Sequence, residues 1–204
     1  MSTDAINTNE AFIWSIAEIL RGDFKQSEYQ RVILPFTVLR RLDAVLEPGR
    51  EAFLAKADTV AGYEGAELAF AQFSRAISGV EFYNTSRLGF RDLTADSPNV
   101  AAHLRSYIAH YCPDVRDVMD RFGFDPIIDR LARANLLYQV VGRFADADLS
   151  PQTISNLEMG YLYERLIRRF SELSNETAGE HFTPREVIRL MVNLLFADDD
   201  AILS

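Results

Sequence analysis

The chain has 204 residues, 48% apolar and 25% charged, and a formal net charge of −9 at pH 7. That balance suits a globular chain with material for one good-sized domain, or a domain plus part of another. It argues against a free-standing, non-specific nucleic-acid binder, and the single cysteine, Cys112, excludes an internal disulfide framework.

Asn7 reads as an N-cap with Glu10 in the third position, followed by an apolar stripe of Phe12, Ile13, Ile16, Ile19 and Leu20 that Gly22 stops. Ser27 with Gln30 opens a second helix, whose buried face is Val32, Ile33, Phe36, Leu39, Leu42 and Leu46. Pro35 falls inside it and predicts a kink. Arg31, Arg40 and Arg41 are its main cations and read as a solvated face. Pro48 and Gly49 break the pattern. A short helix is expected over 51–57, and Leu68, Phe70, Phe73 and Ile77 mark another. Residues 80–96 are the least helical: a surface loop is expected, with a short strand pair as an option. It carries Arg87 and Arg91, the best opportunity for a DNA- or partner-facing excursion, although a packed connecting loop is the commoner outcome.

Ser97 and Pro98 open a helix through Val100, Leu104, Tyr107 and Ile108. Residues 113–121 and 125–141 read as a helical hairpin, with Val115, Val118, Met119, Ile127, Ile128, Leu131, Leu136 and Leu137 inside. Ser150 and Pro151 are expected to cap a long helix to Leu173, with Ile154, Leu157, Tyr161, Leu162, Leu166, Phe170 and Leu173 on its apolar side. The N-terminus lacks the basic and apolar regions of a signal peptide, and no apolar run approaches the ~18 residues of a membrane span. A soluble, cytoplasmic chain is the expectation, with no membrane partner.

Metal and nucleotide chemistry find little support. His103 and His110 share a helix face near Cys112, but no fourth ligand follows. Asp146 and Asp148 begin a calcium-loop spacing that fails at Pro151 and Leu157. There is no Gly-x-Gly for a phosphate cradle and no nucleophile turn, so no catalytic or metal residue is assigned.

The informative stretch is Gly179-Glu180-His181-Phe182-Thr183-Pro184-Arg185-Glu186, a loop turning into a helix. Thr183 is placed as N-cap, Pro184 as first helical residue and Glu186 as third, a capping box. Val187, Ile188, Met191, Leu194 and Leu195 then form one face, expected to be buried. A helix N-terminus beside Arg185 suits an anion, and Phe182 offers a face to a planar group.

This stretch resembles the segment entering the methyltransferase domain of type I restriction–modification modification subunits, the HsdM family. Residues 156–170 are similar to the family's preceding helix, and residues 12–22 and 27–34 to its N-terminal helical domain. The resemblance implies that Glu180, His181, Phe182, Thr183, Pro184 and Arg185 line an S-adenosylmethionine pocket. It also implies transfer of methyl to adenine N6 in DNA by the full subunit, with the adenine turned out of the duplex. The implied partners are the specificity subunit, the restriction subunit, a second modification subunit and DNA. The family's glycine loop and Asn-Pro-Pro-aromatic tetrapeptide do not occur in these 204 residues, which hold no Pro-Pro pair.

The expectation is therefore an all-α chain. Residues 1–145 would form a helical N-terminal domain, and 146–204 a connecting helix and the start of a Rossmann-like methyltransferase domain that is mostly absent. Residues 145–150 and the polar, loop-forming stretch 174–179 are the two places where such a boundary would fall. On its own the segment would be inactive. The rival reading is a helical protein–protein interaction module with no enzymatic role; a helical transcription regulator is disfavoured by the net charge.

Overall fold

The computed structural model describes the backbone of residues 3–173, 183 and 185–195, and the side chains of 11–172, 183 and 187–195. The expected all-α class holds: α1 (Thr3–Leu20), α2 (Tyr29–Leu46), α3 (Arg50–Val60), α4 (Ala66–Ser78), α5 (Val100–Ala109), α6 (Pro113–Arg121), α7 (Phe124–Arg133), α8 (Leu137–Asp146), α9 (Asn156–Leu173) and α10 (Arg185–Leu195). Among the described residues there is no strand, only isolated bridges such as Asn84 with Tyr111.

Helix α2 is the axis of the fold, packing against α1, α7, α8 and α9. Val32, Ile33, Phe36 and Leu39 are all but fully buried, and Phe36 stacks on Phe144 of α8 at 5.3 Å and tilts against Phe124 of α7 at 4.8 Å. Helix α2 runs on as one helix through Pro35, and two residues on Thr37 Oγ1 donates to the Ile33 carbonyl at 2.7 Å. A single apolar core takes in residues from α1 to α9, including Ile154, Leu162, Leu166 and Phe170.

Several boundaries differ from the sequence reading, each for a local reason. Helix α1 begins at Thr3, so Asn7 lies inside it; asparagine is only weakly disfavoured there and does not stop propagation. Ahead of α2, Glu28 rather than Gln30 makes the capping contact, its carboxylate accepting from the Lys25 amide at 2.8 Å around a 3₁₀ turn. The second leg of the expected hairpin is broken into α7 and α8 by Asn135, which takes a left-handed φ of 57°. Asparagine is one of the few residues with a side chain that tolerates this conformation. Helix α9 starts six residues after Ser150. Its cap is Ser155, whose amide and hydroxyl both donate to Glu158 at 2.9 and 2.8 Å, while the Glu158 amide donates back to Ser155 Oγ at 3.3 Å. Leu157 consequently faces solvent instead of the core.

The loop at 80–96 is a packed connection. Tyr83, Asn84, Ser86, Phe90 and Leu93 are buried, and the Cys112 amide donates to the Tyr83 carbonyl at 3.1 Å. Gly89 lies against the Arg50 guanidinium, where a Cβ would fall 1.7 Å from Nη1.

The largest departure is in the charges of α2. Arg40 and Arg41 are 1% and 8% exposed, not a solvated face. Arg40 Nη1 donates to Asp43 Oδ2 at 2.6 Å and Nε to the Ala147 carbonyl at 3.1 Å. Asp43, 1% exposed, is itself the acceptor for Arg50, for the Phe90 amide at 3.1 Å and for the Tyr107 hydroxyl at 2.7 Å. The Tyr107 and Tyr111 hydroxyls are 2.9 Å apart; since Tyr107 donates to Asp43, Tyr111 is the donor between the two. Burial, then Tyr111 and the Asp43 carboxylate, push the Tyr107 pKa well above its ordinary value, so its hydroxyl keeps its proton. Burial works against the charge on Arg50, but attraction to Asp43 outweighs it and raises its pKa.

Helix α10 forms where the sequence placed it, but its apolar stripe is not buried. Val187, Ile188 and Met191 are exposed, and Leu194 and Leu195 reach 71% and 73%. An amphipathic pattern sets which residues share a face; what covers that face depends on other parts of the fold.

Two outcomes test this account. Asp43→Ala leaves the buried Arg40 with only the longer pair to Glu47 at 3.4 Å and Arg50 without its carboxylate, so stability should fall by roughly 3–5 kcal/mol, read from urea denaturation; a loss under ~1 kcal/mol would mean that the network contributes nothing net. The second concerns Glu28, which takes two bonds from Arg130 at 2.6 and 3.0 Å. The Arg130 hydrogen bonds and then the Lys25 amide lower the Glu28 pKa to about 2. With a depressed folded-state pKa, its stabilisation is present above the unfolded value of ~4.3 and lost as pH falls toward ~2. For this partly exposed pair the contribution should be about 1 kcal/mol, absent in Glu28→Gln, so wild type and variant should converge in stability across that window.

Candidate functional site

Of the six residues expected to line a pocket, Glu180, His181, Phe182 and Pro184 lie outside the described residues. Thr183 is exposed and outside regular secondary structure, and Arg185 is the first residue of α10. The structure thus places a helix start where the sequence puts one. The Thr183–Glu186 capping pair depends on the Glu186 side chain, which is also outside the described residues. The first-turn amides of an 11-residue helix carry a partial positive charge, and the Arg185 side chain lies outside the described residues.

The cations of the 80–96 loop are engaged with neighbouring acids. Arg87 Nη2 lies 2.9 Å from Asp58, and Arg91 Nε lies 3.4 Å from Glu47, both pairs exposed. Arg91 also lines an open groove between α1 and α8 with Tyr138, Arg143 and Asp146, which mixes both signs of charge. Among the described residues no group of His, Cys, Asp and Glu could hold a metal ion. Asp148 serves as a turn cap, accepting from the Ser150 amide at 3.1 Å and from the Thr153 hydroxyl.

The sequence reading missed the segment joining α8 to α9. It is gripped from below by α2: Arg41 Nη1 donates to the Leu149 and Ile154 carbonyls at 2.5 and 2.8 Å, and Nη2 to Asn156 Oδ1 at 2.7 Å. The available signal was spacing. Arg40 and Asp43 continue the Ile33 and Phe36 stripe at helical intervals, which puts them on the buried face.

Comparison with known families divides the chain near this joint. The HsdM N-terminal domain family matches residues 9–144, and the N-6 DNA Methylase family matches residues 155–203. No curated protein and no solved structure matches. The first match spans well over half of the chain and lies on the α1–α8 part of the helical fold described above. The chain therefore belongs to the HsdM N-terminal domain family, the helical N-terminal part of type I restriction–modification methyltransferase subunits.

Proposed function

We propose that this chain supplies the assembly part of a type I modification subunit and one wall of its cofactor pocket, and that the subunit methylates adenine N6 in DNA. One observation carries the reading: the two family matches follow each other in order along a single chain, HsdM N-terminal domain first and N-6 DNA Methylase second. The interaction-module alternative has no counterpart to the second match.

In this reading residues 1–145 are the helical domain, and 146–204 lead into the methyltransferase domain. S-adenosylmethionine supplies an electrophilic methyl group on a sulfonium centre. The groups at the start of α10 suit its carboxylate and ribose hydroxyls, because orphan amides and a guanidinium are donors without acceptors. Arg185 would hold an anionic or acceptor group, with Glu180, His181, Phe182, Thr183 and Pro184 forming the loop around it. With a net charge of −9, the segment gains little from counterion release, so DNA is engaged through the assembled complex. Its partners there are the specificity subunit, the restriction subunit and a second modification subunit. Among the described residues no helix is long and apolar enough to cross a membrane, in keeping with a cytoplasmic complex.

Two measurements test this. Supplied with labelled S-adenosylmethionine, the specificity subunit and adenine-containing DNA, the 204-residue chain should incorporate no methyl group; incorporation would move the chemistry into these residues. In the full-length subunit, Arg185→Ala should weaken cofactor affinity roughly tenfold to hundredfold, the effect of losing a charge-assisted hydrogen bond. Calorimetric titration reads this, with circular dichroism to establish folding. Unchanged affinity in a folded variant would remove Arg185 from the pocket.

A further inference from the structure

The two family matches meet at residues 144–155, but the physical core does not divide there. Leu162, Leu166 and Phe170 of α9, within the methylase match, are at most 1% exposed in the same apolar core as α1 and α2. The segment between the matches is held by two side chains of α2, Arg40 on Ala147 and Arg41 on Leu149, Ile154 and Asn156.

Arg41 is chemically unusual. Its three hydrogen-bond acceptors are neutral oxygens, whereas Arg40 and Arg50 are paired with Asp43. Burial lowers the Arg41 pKa, and among the described residues no carboxylate offsets it. A buried cation without a counter-ion is a poor source of stability, since an apolar side chain of similar volume avoids the desolvation. What a guanidinium does that an apolar group cannot is fix three oxygens in one plane through a rigid fork. Those oxygens belong to the residues that lead into α9 and to its first residue.

We propose that Arg41 is a positioning residue that locks the methylase-family helix α9 onto the helical domain. The family boundary at 144–155 is then a fixed joint, and α9 moves with α1 and α2 as one body. The helical domain thereby sets the direction in which the chain enters the methyltransferase part.

The molecule carries its own reporter. Trp14 of α1 is the single tryptophan of the chain. Its ring lies 5.0 Å from Phe170 of α9, with the Arg169 guanidinium 4.7 Å from its centre. Tryptophan emission therefore reads the docking of α9 on α1 separately from helix content. In Arg41→Met, emission should shift to the red and become quenchable by iodide at urea concentrations where far-ultraviolet circular dichroism still shows the folded helices. Amides in 149–156 should exchange roughly tenfold to hundredfold faster than in wild type. Arg41→Lys keeps the charge but not the fork, and should fall between the two. Phe170→Ala should give the same tryptophan change with the 149–156 amides still protected. The proposal is overturned if Arg41→Met is unfolded, or if its emission and helix signals are lost together, because either result makes Arg41 an ordinary core residue. It is equally overturned if neither emission nor exchange changes.

Discussion

A buried carboxylate holds this fold together. Asp43 receives hydrogen bonds from Arg40 one turn back, from Arg50 at the start of α3, from the Phe90 amide and from Tyr107 on α5. Through those donors one side chain of α2 fixes the angle of two other helices and the path of a long connection. Taking the charges out of water is costly, and the cost is recovered only when every oxygen and nitrogen finds a partner in good geometry. That requirement is stricter than apolar contact: leucines tolerate sliding, whereas a carboxylate with four donors does not. Beside this polar centre the Phe90 ring meets Tyr107 edge-on, while Phe36, Phe124 and Phe144 pack with one another in the core.

How much of this was legible follows from what each signal encodes. The helices were readable because apolar residues recur at helical spacing, and α3, α4, α6 and α10 fall where that spacing puts them. The burial of Arg41 was not, because its acceptors arrive from elsewhere in the chain. The acceptors of Arg41 lie 108 to 115 residues away. The Asn135 break was hidden because asparagine also occurs inside helices, and nothing local reveals a left-handed φ. Ser150 and Ser155 both precede helix-forming sequence, but only Ser155 has an acid three residues on, and the reciprocal contact with Glu158 sets the helix start. At the candidate site the sequence motif located a helix start at Arg185, while the exposure of the stripe behind it depended on tertiary contacts that no pattern states.

The acidic chain and its family membership fit together when the segment is seen as architecture within a DNA-modifying complex. Several of its exposed arginines are matched by nearby acids, as Arg87 is by Asp58 and Arg105 by Asp125 and Asp129. Arginines paired in this way contribute little to phosphate binding. Helix α9 belongs to two descriptions at once, being methylase-family by sequence and part of the helical core by packing.

The contact between Gly89 and Arg50 has a consequence for how this family can vary. The guanidinium occupies the space where a side chain at position 89 would begin, so such a side chain has to displace a group that also holds Asp43. The two positions are therefore coupled in this fold. With arginine at 50, any side chain at 89 has to push the guanidinium aside; a shorter residue at 50 would open position 89 to alanine or serine while surrendering a donor to Asp43. The order of substitution then matters, since a change at 89 is harmful first and neutral second. Among related chains, the residue at 89 should track the length of the residue at 50, although 39 positions separate them in the sequence.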